Sequence, residues 1–267
     1  MENTVRNHFW IWGHEAGSHN GLWNLPGKSR MTPLEGAYYL GVPNVIMVVF
    51  RNQPEPPFDR HAIAFRPLNQ VIWSIVGDSS STRNNQNTDL DEILRLAPKF
   101  PNISGVIMDD FFHEPDAMGE ISRLSIPVLR STRAQLHAAA HPLGLWTVVY
   151  QYGLALPQKD YLDECDGVTF WTWKPEHLLG LEHNFSRLEA LIPGKRKMLG
   201  IYLWDYDQGK PMPLELLKNQ CYSGLQWLRE GRVEGLIFLA SCICDLEIET
   251  VEWTRQWIAE VGEERLR

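Results

Sequence analysis

The sequence predicts an α/β fold of the (β/α)8 type, the TIM barrel. Three observations support this prediction. Eight short apolar stretches are typical of strands, helical patterns separate them, and only the connections that follow the early strands are long. A length of 267 residues suits such a barrel, so we expect a single domain over residues 1–267. The main competing architecture is an open, doubly wound sheet.

The predicted strands are short runs rich in β-branched and aromatic residues. Several of them are apolar at consecutive positions, as expected for parallel strands that are covered on both faces. The eight runs are residues 8–14, 44–50, 70–78, 105–112, 143–150, 167–173, 198–206 and 235–241.

The segments between these runs carry helix signals. Thr32 and Glu35 form a capping box with Pro33 at the first helical position. Polar residues directly before residues 90 and 126 predict the starts of two further helices. Two amphipathic helices are predicted in residues 211–229 and 245–261. Each strand is therefore followed by a helix, as a barrel requires.

The loops differ in length according to their position. Connections from helix to strand are short, whereas the segments 13–31, 51–67 and 77–87 that follow the first three strands are long and polar or rich in proline. Long loops in a compact domain are usually functional, and in a barrel these loops lie on the carboxyl face, where active sites are found. We therefore expect the site at the carboxyl ends of the strands.

Charge and composition exclude several classes of protein. The net charge of −8 argues against nucleic acid or an anionic membrane as a partner, and no apolar run approaches the length of about 20 residues that a membrane span needs. The start of the chain has no signal-peptide pattern, so we expect a cytoplasmic protein.

The four cysteines fit neither a disulfide framework nor a zinc motif, and Cys242-Ile243-Cys244 is only a weak thiol signal. We assign no cofactor and no metal ligand, and the oligomeric state stays open.

The candidate site consists of polar and aromatic residues at the predicted strand ends. Carboxylates with aromatic side chains are typical of glycoside cleavage, in which one acid protonates the leaving oxygen and a second carboxylate attacks or activates water. The candidate catalytic residues are Asp109, Asp110 and Asp205. The candidate substrate-binding residues are His14, Glu15, Asp78, Tyr150, Trp173, Glu176, Tyr202 and Trp204.

This arrangement resembles the (β/α)8 glycoside hydrolases, which often place one catalytic carboxylate after strand 4 and another after strand 6 or 7. The resemblance implies Asp109 or Asp110 for the first position and Asp205 for the second. The motifs depart from the known patterns, because Asp109-Asp110 replaces the Asn-Glu pair of the large retaining clan and Asp205 stands where those families have Glu. The chitinase-type pattern D-x-x-D-x-D-x-E is not matched either.

The roles follow from position along the strand. Asp110 is one residue further out of the strand than Asp109, so we expect it to be the general acid, with Asp205 as nucleophile or base. Asp109, Tyr202 and His14 would orient or tune these two groups. A carbohydrate is the expected small-molecule partner.

Two other functions stay open. Asp109, Asp110, His14, Glu15 and His113 could bind a divalent cation in a lyase, an epimerase or a hydrolase, with Lys174 as a base. The barrel could also bind a sugar without turnover. In a purely structural interpretation, the strand 4 acids cap a helix or pair with an arginine, and Asp205 belongs to a turn.

Overall fold

The computed structural model describes residues 3–85 and 88–266. The strands β1 to β8 are Phe9–Gly13, Asn44–Met47, Gln70–Val76, Ile103–Met108, Gly144–Tyr150, Gly167–Trp171, Arg196–Tyr202 and Gly235–Leu239. They form a closed parallel barrel in the order β1-β8-β7-β6-β5-β4-β3-β2. The predicted (β/α)8 barrel is therefore confirmed.

The described residues also form eight α-helices, one after each strand. These helices, α1 to α8, are Pro33–Leu40, Asp59–Ala64, Leu90–Leu96, Ile126–His137, Lys159–Asp163, Leu181–Leu191, Leu214–Arg229 and Glu249–Val261. None of the described helices is long and apolar enough to cross a membrane.

Helix α1 shows how the local sequence determines the ends of an element. The hydroxyl of Thr32 accepts a hydrogen bond from the Glu35 amide (3.3 Å), and the Glu35 carboxylate accepts one from the Thr32 amide (2.8 Å). Gly41 ends the helix with φ of 70°, a left-handed conformation that glycine adopts without steric cost. The predicted capping box is confirmed.

Contacts between Cα atoms divide the chain into two compact units. The terminal unit consists of Met1–Ile46, Thr172–Leu181 and Lys197–Arg267, and the central unit consists of Met47–Trp171 and Glu182–Arg196. The expectation of one domain over residues 1–267 stays a prediction.

Strand pairing within each unit determines which residues become neighbours. In the terminal unit β1 pairs with β8, with Trp12 opposite Leu239, so the residues that follow these two strands lie side by side. In the central unit β3, β4, β5 and β6 pair in sequence order. The carboxyl ends of β3, β4 and β5 are therefore adjacent.

Most of the tryptophans at strand positions belong to the core. Trp73 on β3, Trp146 on β5 and Trp171 on β6 are fully buried. Trp146 on β5 lies opposite Gly167 on β6, and a Cβ atom at Gly167 would come within 2.3 Å of the Trp146 ring. Glycine is needed here because the indole occupies the space that a side chain would fill, and such overpacking typically costs about 1–3 kcal/mol.

The end of β7 differs from the predicted run 198–206, since the barrel strand ends at Tyr202. Trp204–Asp205 is instead a separate short strand, antiparallel to Lys210–Pro211. The turn between them is closed by the Gln208 amide, which donates to Asp205 Oδ1 (3.1 Å), and by Gly209 with φ of 60°. Side-chain-to-backbone bonding and a left-handed glycine thus convert the predicted strand end into a hairpin.

Candidate active site

Four predicted site residues of the central unit lie at the adjacent ends of β3, β4 and β5. We call Asp78, Asp109, Asp110 and Tyr150 the acid cluster. Asp78 follows β3, Asp109 and Asp110 follow β4, and Tyr150 is the last residue of β5. The structure therefore brings these four predicted residues together at the carboxyl ends of three neighbouring strands.

Asp110 accepts hydrogen bonds on both carboxyl oxygens. The Tyr150 hydroxyl donates to Oδ1 and the Ser79 amide donates to Oδ2, each at 2.9 Å. Its backbone has φ of 39°, in the left-handed region that non-glycine residues adopt rarely and that is enriched at functional sites. The carboxyl group of Asp110 therefore has a fixed orientation.

Asp109 has the opposite environment. Only 7% of the residue is exposed, and its Oδ1 accepts the Asp110 amide at 2.9 Å. Burial raises the pKa of Asp109 well above its ordinary value, and the nearby negative charges of Asp110 and Asp78 raise it further. This environment favours the protonated, neutral form of the Asp109 carboxyl.

Asp78 organises the loop that follows β3. Its Oδ1 accepts hydrogen bonds from the Arg51 amide (3.1 Å) and the Ser81 hydroxyl (2.5 Å), and its Oδ2 accepts one from the Ser80 amide (3.2 Å). The Ser79 amide that binds Asp110 belongs to this same loop. Asp78 thus positions a donor for Asp110.

Arg123 stabilises the same loop and was not a predicted site residue. Its guanidinium donates to the carbonyl oxygens of Gly77, Asp78 (3.2 Å) and Ser81 (3.0 Å). Arg123 lies 45 positions after Asp78, beyond β4 and before α4, and it follows no strand end. The expectation that site residues directly follow the strands therefore could not identify Arg123.

Tyr152 extends the aromatic surface beside the acid cluster. Its ring stacks on Tyr150 at 5.0 Å with an angle of 7° between the planes, and 59% of the residue is exposed. Desolvation of the phenol, together with the charges of Asp110 and Asp109, raises the pKa of Tyr152 to about 12, so the hydroxyl stays neutral. An exposed stacked ring of this kind can pack against the apolar face of a sugar.

A cleft of about 230 Å³ borders this surface. The residues that line it follow β4 or belong to β5 and the turns after it. They are Phe111, Phe112, His113, Glu114, Val148, Tyr150, Tyr152, Gly153, Leu156 and Gln158.

Asp205 is the predicted catalytic residue of the terminal unit. It is 2% exposed, and its Oδ2 lies 3.9 Å from Lys210 Nζ. In the part of the chain that the structure describes, Oδ2 has no hydrogen-bond partner. Its assignment as nucleophile or base stays a prediction.

The other predicted residues of the terminal unit have different surroundings. Trp173 packs edge-on against Tyr202 at 5.6 Å, and the Trp204 indole donates to the Trp23 carbonyl at 3.0 Å. Glu176 is exposed in a 3-10 helix, and Glu15 is half-buried. Their roles in substrate binding stay predictions.

His14 lies in a different kind of group. Its ligand atoms lie within 4.8 Å of those of His19 and Cys242, and all three residues are buried. Among the residues that the structure describes, this is the only set of three His, Cys, Asp or Glu side chains placed to share a metal ion. The alternative ligand set built around Asp109 and Asp110 stays a prediction. His19 is in a long loop and Cys242 is 223 positions further along the chain, so no sequence spacing connects them.

No protein-family model and no curated protein matches the chain. Solved structures do match over nearly its whole length. A protein assigned as an alpha-L-fucosidase from Bacteroides thetaiotaomicron has a TM-score of 0.61 and 11% identity, and the match covers 97% of this chain and 98% of that one.

Two further similar structures are glycosidases as well. An endo-alpha-mannosidase from Bacteroides thetaiotaomicron has a TM-score of 0.58 and 8% identity, with 97% of this chain and 98% of that chain covered. An active domain of a thermostable chitinase from Pyrococcus furiosus has a TM-score of 0.56 and 13% identity, with 90% and 85% covered. At these identities the likeness concerns the fold, and it confirms the predicted architectural resemblance to (β/α)8 glycoside hydrolases.

Proposed function

We propose that the protein is a glycoside hydrolase that acts on small glycosides or oligosaccharides through Asp109 and Asp110. The observation that supports this proposal is the contrast between the two adjacent carboxyl groups. Asp109 is buried with a raised pKa, whereas Asp110 accepts two hydrogen bonds from Tyr150 and Ser79. Two carboxyl groups in environments that favour different roles are typical of glycoside cleavage.

Asp109 is the proton donor in this mechanism. A carboxylic acid that keeps its proton near neutral pH can transfer it to the glycosidic oxygen as the bond to the sugar breaks. Position along the strand predicts this role for Asp110, with Asp109 as an orienting or tuning group. The burial of Asp109 and its raised pKa favour Asp109 as the proton donor instead.

Asp110 is the charged partner in this mechanism. Its carboxylate would stabilise the positive charge that develops on the sugar ring until a water molecule adds to the anomeric carbon and returns one proton to Asp109. The fixed hydrogen bonds from Tyr150 and Ser79 would keep the Asp110 carboxylate oriented without reorganisation. Tyr150 acts as a positioning residue. Tyr152 would stack on the sugar at the cleft.

The experiment is a product screen on aryl glycosides and short oligosaccharides, with and without chelator. It compares the wild-type chain with Asp110→Asn, Asp205→Asn and the control Asp163→Asn, whose side chain pairs with Lys159 on α5. The proposal predicts chelator-insensitive sugar release that is lost in Asp110→Asn and retained in the control. Loss in Asp205→Asn as well would support the predicted second carboxylate.

Two outcomes would contradict the proposal. Release that requires a metal, together with metal uptake that is lost in Asp110→Asn, would make the acids metal ligands. Thermal stabilisation by sugars without any product would indicate a binding barrel.

A further inference from the structure

The second group of reactive side chains is a buried cluster in the terminal unit, which we call the His–Cys cluster. It consists of His14, His19 and Cys242. One ligand atom from each residue lies within 4.8 Å of the other two, and the two imidazole rings are 4.4 Å apart between centroids. Two imidazoles and a thiol are ligands that Zn²⁺ prefers in proteins.

The fold brings these three residues together through β1 and β8. His14 follows β1, and Cys242 follows its parallel neighbour β8. The buried hydroxyl of Ser241 accepts a hydrogen bond from the His14 amide at 3.0 Å, which fixes the two strand ends against each other. The arrangement is therefore part of the barrel framework.

The loop that carries His19 is closed by its own hydrogen bonds. The side chain of Asn20 donates to the Ser29 carbonyl (3.0 Å) and accepts from the Ser29 amide (2.8 Å). Trp23 packs on the His19 ring at 4.8 Å. These contacts position His19 beside His14 and limit its exposure to water.

The three ligand atoms lie close enough together to share one ion after small movements. In a tetrahedral zinc site, zinc-to-nitrogen distances of about 2.0–2.1 Å and a zinc-to-sulfur distance of about 2.3 Å put neighbouring ligand atoms about 3.3–3.6 Å apart. The upper limit of 4.8 Å in this cluster exceeds that range by on the order of 1 Å. Small side-chain rotations can close this difference.

Tyr206 provides a second observation. It is 6% exposed, and within the described ranges 3–85 and 88–266 its hydroxyl has no hydrogen-bond partner. Its ring packs edge-on against His19 at 5.6 Å and against Trp23 at 5.1 Å. A buried hydroxyl beside a ligand cluster indicates a missing polar group, because buried hydroxyls normally form a hydrogen bond.

We propose that His14, His19 and Cys242 bind one Zn²⁺ ion, with a water molecule as the fourth ligand that hydrogen-bonds to the Tyr206 hydroxyl. Cys242 binds as the thiolate, so each ion that enters displaces the thiol proton to the solvent. In the metal-free chain burial raises the pKa of Cys242 to about 12, which disfavours a role as a free nucleophile. The proposal does not depend on the acid cluster or on glycosidase activity.

The test titrates the purified, metal-stripped full chain with Co²⁺, and measures Zn²⁺ content in parallel by mass spectrometry. We expect about one ion per chain and a thiolate-to-cobalt absorption band. Cys242→Ser should abolish the band and weaken binding by at least about 100-fold, more than the loss of an outer-shell partner. Cys221→Ser is the matched control, because Cys221 is an equally buried thiol on α7, and it should retain both signals.

Circular dichroism of each variant shows whether the barrel is intact. If Cys242→Ser does not fold, His14→Gln and His19→Gln provide the same comparison, and each should weaken Co²⁺ binding. A wild-type chain that gives no thiolate band at saturating Co²⁺ would overturn the proposal. Equal bands in Cys242→Ser and Cys221→Ser would do so as well.

Discussion

The acid cluster of the central unit and the His–Cys cluster of the terminal unit differ in how they are stabilised. In the acid cluster, the oxygens of Asp78 and Asp110 accept hydrogen bonds from amides and hydroxyls of the protein. The His–Cys cluster contains two imidazoles and a thiol that are buried together, beside a Tyr206 hydroxyl that has no hydrogen-bond partner among the described residues.

This difference indicates two kinds of site. The acid cluster is preorganised by the protein itself, and its charges are oriented before any ligand arrives. In the His–Cys cluster, a bound cation would orient the imidazole nitrogens and the thiol sulfur. The two can therefore be separated by experiment, since each variant should affect one cluster and leave the other unchanged.

The largest expected effect follows from Asp110→Asn. Removal of the charge that stabilises the sugar cation should lower kcat/KM for glycosides by about 10²–10⁴-fold, the usual range for a lost electrostatic or acid–base group. Steady-state kinetics on the best substrate of the panel measures this effect. Co²⁺ binding by the same variant should equal that of wild type, and a parallel loss of both would contradict the separation of the two clusters.

Tyr150→Phe should have a smaller effect. It deletes the hydroxyl that donates to Asp110 Oδ1 while keeping the ring that stacks on Tyr152. A hydrogen bond to a charged group contributes about 1.5–3 kcal/mol, so kcat should fall by about 10- to 150-fold with little change in KM. Tyr38→Phe, at an exposed position on α1, is the control, and equal kinetics in the two variants would exclude a positioning role for Tyr150.

Ser241→Ala tests the other cluster. Loss of the hydroxyl that accepts the His14 amide should weaken Co²⁺ binding by about 10-fold, as expected for an outer-shell partner, and should shift the absorption band. Glycoside kinetics in this variant should stay at the wild-type level. Ser186→Ala on the surface of α6 is the control. An unchanged Co²⁺ spectrum in Ser241→Ala would exclude a role for Ser241 in supporting the metal site.

The smallest effect concerns stability. The folded-state pKa of Asp109 is raised, so the folded chain binds a proton that the unfolded chain releases above a pH of about 4. The contribution of Asp109 to stability is thus present below that pH and is lost as the pH rises towards the folded-state pKa. Asp109→Asn removes this loss and should be more stable than wild type at neutral pH.

Urea unfolding at several pH values measures this difference. The advantage of Asp109→Asn should grow as the pH rises from about 4. A constant difference between the two chains would show that Asp109 titrates normally in the folded protein.

The sequence was sufficient to predict the barrel and the four members of the acid cluster. Parallel strands buried on both faces are apolar at consecutive positions, which makes their ends visible in the sequence. The first polar residues after β3 and β4 are Asp78 and Asp109, and barrel active sites lie at the carboxyl ends of the strands, so these two residues could be located directly. The different environments of Asp109 and Asp110 could not be predicted, because they depend on the burial of one side chain and on φ of 39° at the other.

The remaining features depend on contacts between distant segments. Arg123 reaches the loop after β3 from beyond β4, and His19 meets Cys242 only because β1 and β8 are neighbours in the closed barrel. The hairpin at Asp205 was foreseeable in part, since Asp205 to Gly209 has the composition of a turn. The apolar run directly before this turn extends the predicted strand to residue 206.

The proposed glycoside cleavage depends on proton donation by Asp109. A comparison of Asp109→Asn with wild type on aryl glycosides whose phenols span a wide range of acidity tests this step. Acidic phenols leave without a proton, so the variant should nearly match wild type on a dinitrophenyl glycoside and fall behind by about 10²-fold or more as the phenol becomes less acidic. An equal loss on every leaving group, or no loss on any, would contradict the assignment of Asp109 as the acid.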